Sequence, residues 1–167
     1  MKNIITVTIL LAMSLVSFGQ KNSDIAYINL NEIMIALPVT DSIQKVLEAE
    51  RLEFEQVFEE MNVEYNKMFE DYQEKQDTYS ELVKKTKGED LLAKQNRLTQ
   101  FEQNANNTLQ QHNMEMLQPV YQKIQNAIDK VSKEKGIDYV IDLSKGTVVY
   151  TSPEAVNLNE AIIALVK

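Results

Sequence analysis

The spacing of apolar residues changes three times along the chain, and the changes divide it. From Ile4 to Phe18 apolar residues are nearly continuous behind Lys2, and polar Gln20, Lys21, Asn22, Ser23 and Asp24 follow. That order predicts a secretory signal peptide over residues 1–19, cleaved after Gly19, because the run is shorter than the roughly 20 residues a membrane-spanning helix needs. From Asp24 to Leu30 the pattern alternates, with Ile25, Tyr27 and Asn29 on one face and Ala26, Ile28 and Leu30 on the other, which predicts a strand. Leu30 to Leu37 reads as a short helix stopped by Pro38, with Thr40 or Asp41 capping the next. Residues 20–40 thus form the first part of a small body.

From Ser42 to about Lys85 there is neither Pro nor Gly, and one seam recurs in steps of three and four, apolar but for Glu50: Ile43, Leu47, Glu50, Phe54, Val57, Met61, Tyr65, Met68, Tyr72. This heptad-like stripe predicts a helix of roughly 65 Å at 1.5 Å per residue. Gly88, after Lys84, Lys85 and Lys87, suggests a helix end, and Glu89 and Asp90 suit a new start. A turn near 86–89 is therefore expected. A second stripe, including Leu91, Leu98, Phe101, Ala105, Leu109, His112, Met116, Val120, Ile124, Ile128 and Val131, runs to Gly136. Two such helices fold back as an antiparallel hairpin over residues 41–135. With the turn centred near Lys87, Ile43 faces Val131, Leu47 faces Ile128, Phe54 faces Val120, Phe58 faces Met116 and Tyr65 faces Leu109. The expected seam is Leu47, Phe54, Phe58, Met61, Tyr65, Leu109, Met116, Val120, Ile124 and Ile128, more polar and looser towards the tip. Pro119 should kink the second helix.

After Gly136 the period falls to two. Ile137, Tyr139, Ile141 and Leu143 alternate with Asp138, Val140 and Asp142, Ser144 to Gly146 suggest a turn, and Thr147 to Thr151 a second strand, so residues 136–167 read as a β-hairpin. Asn157 would then cap a last helix. The expected fold is α+β: a long helical hairpin, a tentacle, on a small three-stranded body, with Ile25, Ile28, Tyr139, Val140, Ile141, Val148 and Val149 in the core of the body or of its assembly. So small a core with open strand edges suggests that copies pair with cyclic symmetry.

Composition narrows the chemistry. The chain has 17 Lys and Arg against 25 Asp and Glu, which disfavours nucleic acid as a partner and leaves membrane contact without a clear attractor. Without cysteine there is no disulfide, thiolate or Cys-based zinc site. His112 is the sole histidine, and no Ser, Cys or Asp constellation lies near it in sequence. Paired carboxylates such as Asp138 and Asp142 are weak metal ligands by themselves. No catalytic residue, cofactor or metal site is expected.

In the order of its parts the chain resembles the Skp/OmpH family of periplasmic chaperones. The resemblance rests on the strand Ile25 to Asn29, the Gln/Glu/Lys-rich hairpin, the run Gly136 to Asp142, the segment Val148 to Tyr150, and the final helix opened by Asn157 and Leu158. It implies a soluble periplasmic homotrimer with three tentacles that holds unfolded outer-membrane protein precursors without ATP. One departure stands out: well-known members are basic, whereas this chain is acidic.

Met and aromatic side chains off the two stripes are candidates for client contact, as flexible Met-rich surfaces bind many partners. Phe69 and Met114 fit that description. A different class of function, a structural or adaptor coiled coil of the cell envelope with one folded partner, would instead concentrate its contacts in one compact patch.

Overall fold

The computed structural model describes residues 24–167; the expected signal segment lies outside them. Strand β1 (Ile25–Ile28) leads into helix α1 (Leu30–Ala36), followed by the long helices α2 (Pro38–Lys75) and α3 (Glu81–Lys135). Strand β2 (Tyr139–Asp142), strand β3 (Val156–Asn157) and helix α4 (Asn159–Val166) complete the chain.

The alternation in β1 works as the sequence suggests. Ala26 and Ile28 are buried, while Ile25 on the opposite face is exposed. Asn29 caps α1: its side chain accepts the Glu32 amide at 3.3 Å and donates to the Glu32 carboxylate at 2.9 Å. At the next boundary Thr40 and Asp41 are not caps. Leu37 is extended, as the residue before a proline prefers, and Pro38 occupies the first turn of α2, where a missing N–H costs nothing. Asp41 instead lies in that first turn, near the positive end of the helix, and pairs with Lys45 at 2.7 Å.

The hairpin turns earlier than the glycine suggests. Helix α2 ends at Lys75, a single 3₁₀ turn spans Gln76–Thr78, Tyr79 is extended, and α3 begins after Ser80. Thr78 donates its hydroxyl to the Lys75 carbonyl at 2.7 Å, satisfying a group the helix end leaves open. Gly88 lies inside α3. Turn-forming Asp77, Thr78 and Ser80 thus outweigh one glycine, which a solvated helix tolerates for about 1 kcal/mol. A Cβ at Gly88 would meet nothing within 4 Å. Gly88→Ala is therefore expected to stabilise the outer hairpin by up to about 1 kcal/mol. Slower amide exchange over residues 84–92 would show it, and unchanged or faster exchange would refute it.

The earlier turn resets the pairing of the helices. Phe54 meets Phe101 with ring centroids 6.2 Å apart, Glu50 meets His112, and Glu64 pairs with Lys94. The expected pairs of Ile43 with Val131, Leu47 with Ile128, Phe54 with Val120, Phe58 with Met116 and Tyr65 with Leu109 are accordingly replaced. Helix α3 outruns its partner, and its last four turns enter the body. There Val120, Ile124, Ala127 and Val131 pack in one core with Ala26 and Ile28 of β1, Ile33, Met34 and Leu37 of the α1 region, and Leu158 and Ile162 of the α4 region. Helix α3 runs on through Pro119 without a break. In the outer half Leu91 and Leu98, both members of the second stripe, are buried.

The C-terminal segment is not a β-hairpin. Residues 147–151 form no strand, and Val149 is 100% exposed. The third strand is β3, and the sheet has the order β2-β1-β3 with both pairs parallel. The Asp142 carboxylate explains why the chain does not turn straight back. It accepts the Ser144 hydroxyl at 2.7 Å, the Ser144 amide at 2.9 Å and the Leu30 amide at 3.2 Å. These bonds cap a 3₁₀ turn over Leu143–Lys145 and direct the chain towards α1.

The same bonds make the body sensitive to acid. Burial opposes ionisation of Asp142, but the Ser144 side chain, the Ser144 amide and the Leu30 amide outweigh it and hold its pKa below the ordinary value. A carboxylate depressed on folding contributes stability above its unfolded pKa and loses that contribution as pH falls through the folded one. The stability lost between pH 6 and pH 3 should therefore be smaller in Asp142→Asn than in the parent chain. Equal losses in denaturant titrations would contradict this.

Candidate functional site

Few groups in the molecule are arranged for chemistry. His112 Nδ1 lies 2.9 Å from a Glu50 carboxylate oxygen across the hairpin. The pair ties α3 to α2. Among the described residues no three His, Asp or Glu side chains are placed to hold a metal ion. Lys84, Lys85 and Lys87 do not cap the tip. They lie near the N-terminal end of α3, where the helix dipole disfavours cations, and Lys84 and Lys85 are compensated by Glu81 and Glu89 at 3.7 and 3.9 Å.

What the hairpin does present is apolar surface on a solvated rod. Val46, Leu52 and Val63 of α2 and Leu82, Leu92 and Met114 of α3 are exposed, spread along the helices. Met114 is 66% exposed. Phe69 is 40% exposed while its ring stacks on Tyr65 at 6.1 Å. Phe69 and Met114 are the two that stand out from the stripes by residue type. Leu52, Val63 and Leu92 carried the same signal, an apolar residue off the seam, in a less conspicuous type.

The other expected seam residues divide between two places. Phe54, Phe58, Met61, Tyr65 and Leu109 lie along the hairpin and are partly buried, whereas Val120 and Ile124 belong to the body core and Leu47, Met116 and Ile128 pack against it. Of the residues expected in the core of the body or of its assembly, Ile28 is buried and Val140 packs against the core of the single chain. Ile25, Tyr139 and Ile141 point outward from the sheet and are exposed in the single chain, as is Val149. Val148 lies in the segment that forms no strand.

A helical hairpin of this kind occurs in a solved structure. An OmpH-like protein of Caulobacter crescentus, assigned as an outer membrane chaperone, matches with a TM-score of 0.70 at 14% sequence identity, over 89% of this chain and 86% of that one. At that identity the likeness concerns the fold. No curated protein sequence matches. The family model described as Outer membrane protein (OmpH-like) matches residues 24–166, from the first strand to the end of the last helix. The chain belongs to the OmpH-like family.

Proposed function

We propose that this protein is an ATP-independent holdase of the periplasm, which keeps unfolded outer-membrane protein precursors from aggregating in the space between the hairpins of a homotrimer. The observation that carries the reading is the dispersal of exposed apolar side chains along both long helices of the hairpin. Many weak contacts along a rod suit clients without fixed structure, whereas one folded partner calls for a compact patch. Phe69 and Met114 are two of these contacts, and no single residue is indispensable. The reading is non-enzymatic.

The uncovered side of the sheet supports an assembly of several copies. All-parallel sheets are normally covered on both faces, yet here the helices cover one. Ile25, Tyr139 and Ile141 are exposed on the other, β2 and β3 each leave an edge open, and Tyr150 is exposed beside Val149. Copies of the chain would close these surfaces together, with the segment Val148 to Tyr150 as an added strand. The secretory pattern at the start of the sequence supports a periplasmic site. No helix among the described residues is long and apolar enough to cross a membrane.

The direct test dilutes a denatured β-barrel membrane protein into buffer with and without this protein, in the absence of nucleotide, and follows light scattering. Suppression of aggregation at a few-fold molar excess is expected. Undiminished aggregation would overturn the reading, and a single stoichiometric partner after crosslinking in cells would favour an adaptor.

A further inference from the structure

Midway along the hairpin the regular seam is interrupted on both helices at one level. The inward positions step Glu50, Phe54, Phe58 on α2 and Phe101, Ala105, Leu109 on α3, two successive steps of four in each. Such steps unwind a coiled coil locally and carry the side chains towards one flank. Ala105 lies at the same level as Phe54 and Phe58, and its lone methyl group leaves space a larger side chain would take. The result is an open groove of about 410 Å³ lined by Phe54, Phe58, Phe101 and Leu109. Phe54 and Phe101 meet edge to face at 88°, which braces its floor.

The rim has one sign of charge to offer. Glu55, Glu59 and Glu102 border the groove, and Arg51 is the one cation among the lining residues. Arg51 is already matched: it holds Glu48 at 2.6 and 2.9 Å and also pairs with Glu55. Among the described residues no cation pairs with Glu59 or Glu102. Helix α2 has seven glutamates from Glu48 to Glu64 against Arg51, and α3 has no Lys or Arg from Leu98 to Gln122. The facing helix therefore supplies nothing to neutralise the rim.

Resting on the proposed holding activity, we infer that this groove takes segments of unfolded client in which a bulky apolar side chain is flanked by Lys or Arg. The floor accepts the apolar side chain and the glutamates attract the cations beside it. A second hairpin of this chain is a poor occupant, since it would set its own acidic α2 against the rim.

The test uses the purified protein and two fluorescent peptides of equal Leu and Phe content, one with Lys and one with Glu beside each apolar residue. The Lys peptide is expected to bind about tenfold tighter at low ionic strength, and the difference should shrink to about twofold in about 0.5 M salt. Ala105→Leu, which fills the groove, should weaken Lys-peptide binding about tenfold without lowering the melting temperature. Should that variant fail to fold, the double substitution Glu59→Gln with Glu102→Gln decides, since it should remove most of the charge preference and keep binding to the floor. Equal affinity for the two peptides at low salt would overturn the inference, as would Lys-peptide binding indifferent to both variants. Aggregation suppressed without charge preference would leave the holding activity standing and this inference fallen. Charge preference without suppression would do the reverse.

Discussion

Ile124→Ala is expected to cost about 3–4 kcal/mol of folding stability, near the upper end of what one side chain contributes. Ile124 is 1% exposed and lies where α3 passes from the hairpin into the body, in the core that also holds β1, α1 and Ile162. Truncation removes three buried carbons and leaves a cavity that neighbours on four separate elements cannot collapse to fill without moving one another. The core has few large fully buried side chains, among them Ile33, Leu37, Leu158 and Ile162, so each is a large share of the whole. The measurement is the urea midpoint by far-ultraviolet circular dichroism at one protein concentration, because assembly adds a concentration-dependent term. Leu52→Ala, on the exposed flank of α2, should shift the midpoint by no more than about 0.5 kcal/mol. Similar shifts for the two would show that the body does not anchor the hairpin.

The other large effect concerns assembly. Tyr139→Glu combined with Ile141→Glu places two carboxylates on the outer face of β2, where the single chain leaves Tyr139 61% exposed and Ile141 38% exposed. Both residues point away from the core, so the monomer should keep its helix content. Burying these charges against another copy costs on the order of 4 kcal/mol, about a thousandfold in association. Light scattering should therefore report a trimer for the parent chain and a monomer for the variant at micromolar concentration. Suppression of aggregation should fall with it, since enclosure depends on several hairpins. A variant that keeps the parent's mass would place the interface elsewhere, and a parent chain that is itself monomeric would remove the enclosed space from the proposed mechanism.

Much of the architecture was legible because its signals are local. Periodicity decides which face of a helix or strand is apolar, and it marked β1, both long helices, β2 and the last helix from their own residues. Gly136, in the left-handed conformation at φ 68°, ended α3 where expected. The position of the hairpin turn was misjudged because Gly88 is a stronger sign than Asp77, Thr78 and Ser80 when each is weighed in isolation. A solvated helix absorbs one glycine at small cost, whereas the turn must suit the length of both arms. That error of about ten residues moved every expected pair across the seam and took Val120, Ile124 and Ile128 from the body to the hairpin. The mistaken β-hairpin has a similar origin: Val148 to Tyr150 has the composition of a strand, and the bonds that divert the chain at Asp142 come partly from Leu30, over a hundred residues away.

The candidate site was legible only in kind. Off-seam apolar residues such as Phe69 and Met114 stand out from a heptad pattern. The groove beside Phe54 does not, because it needs two successive steps of four on each helix to arrive at the same level, and that coincidence depends on where the turn falls.

Residue type and spacings shorter than a few turns are enough to specify a long amphipathic helical hairpin, a strand pattern at either end of it, an acidic surface and the lack of thiol chemistry. The register of the arms, the parallel order β2-β1-β3 and the acid-rimmed groove arise only when distant segments pack together. Each of these joins residues tens of positions apart, and a chain's local preferences carry no information about which distant partner buries the most surface once loop closure and core packing are settled together.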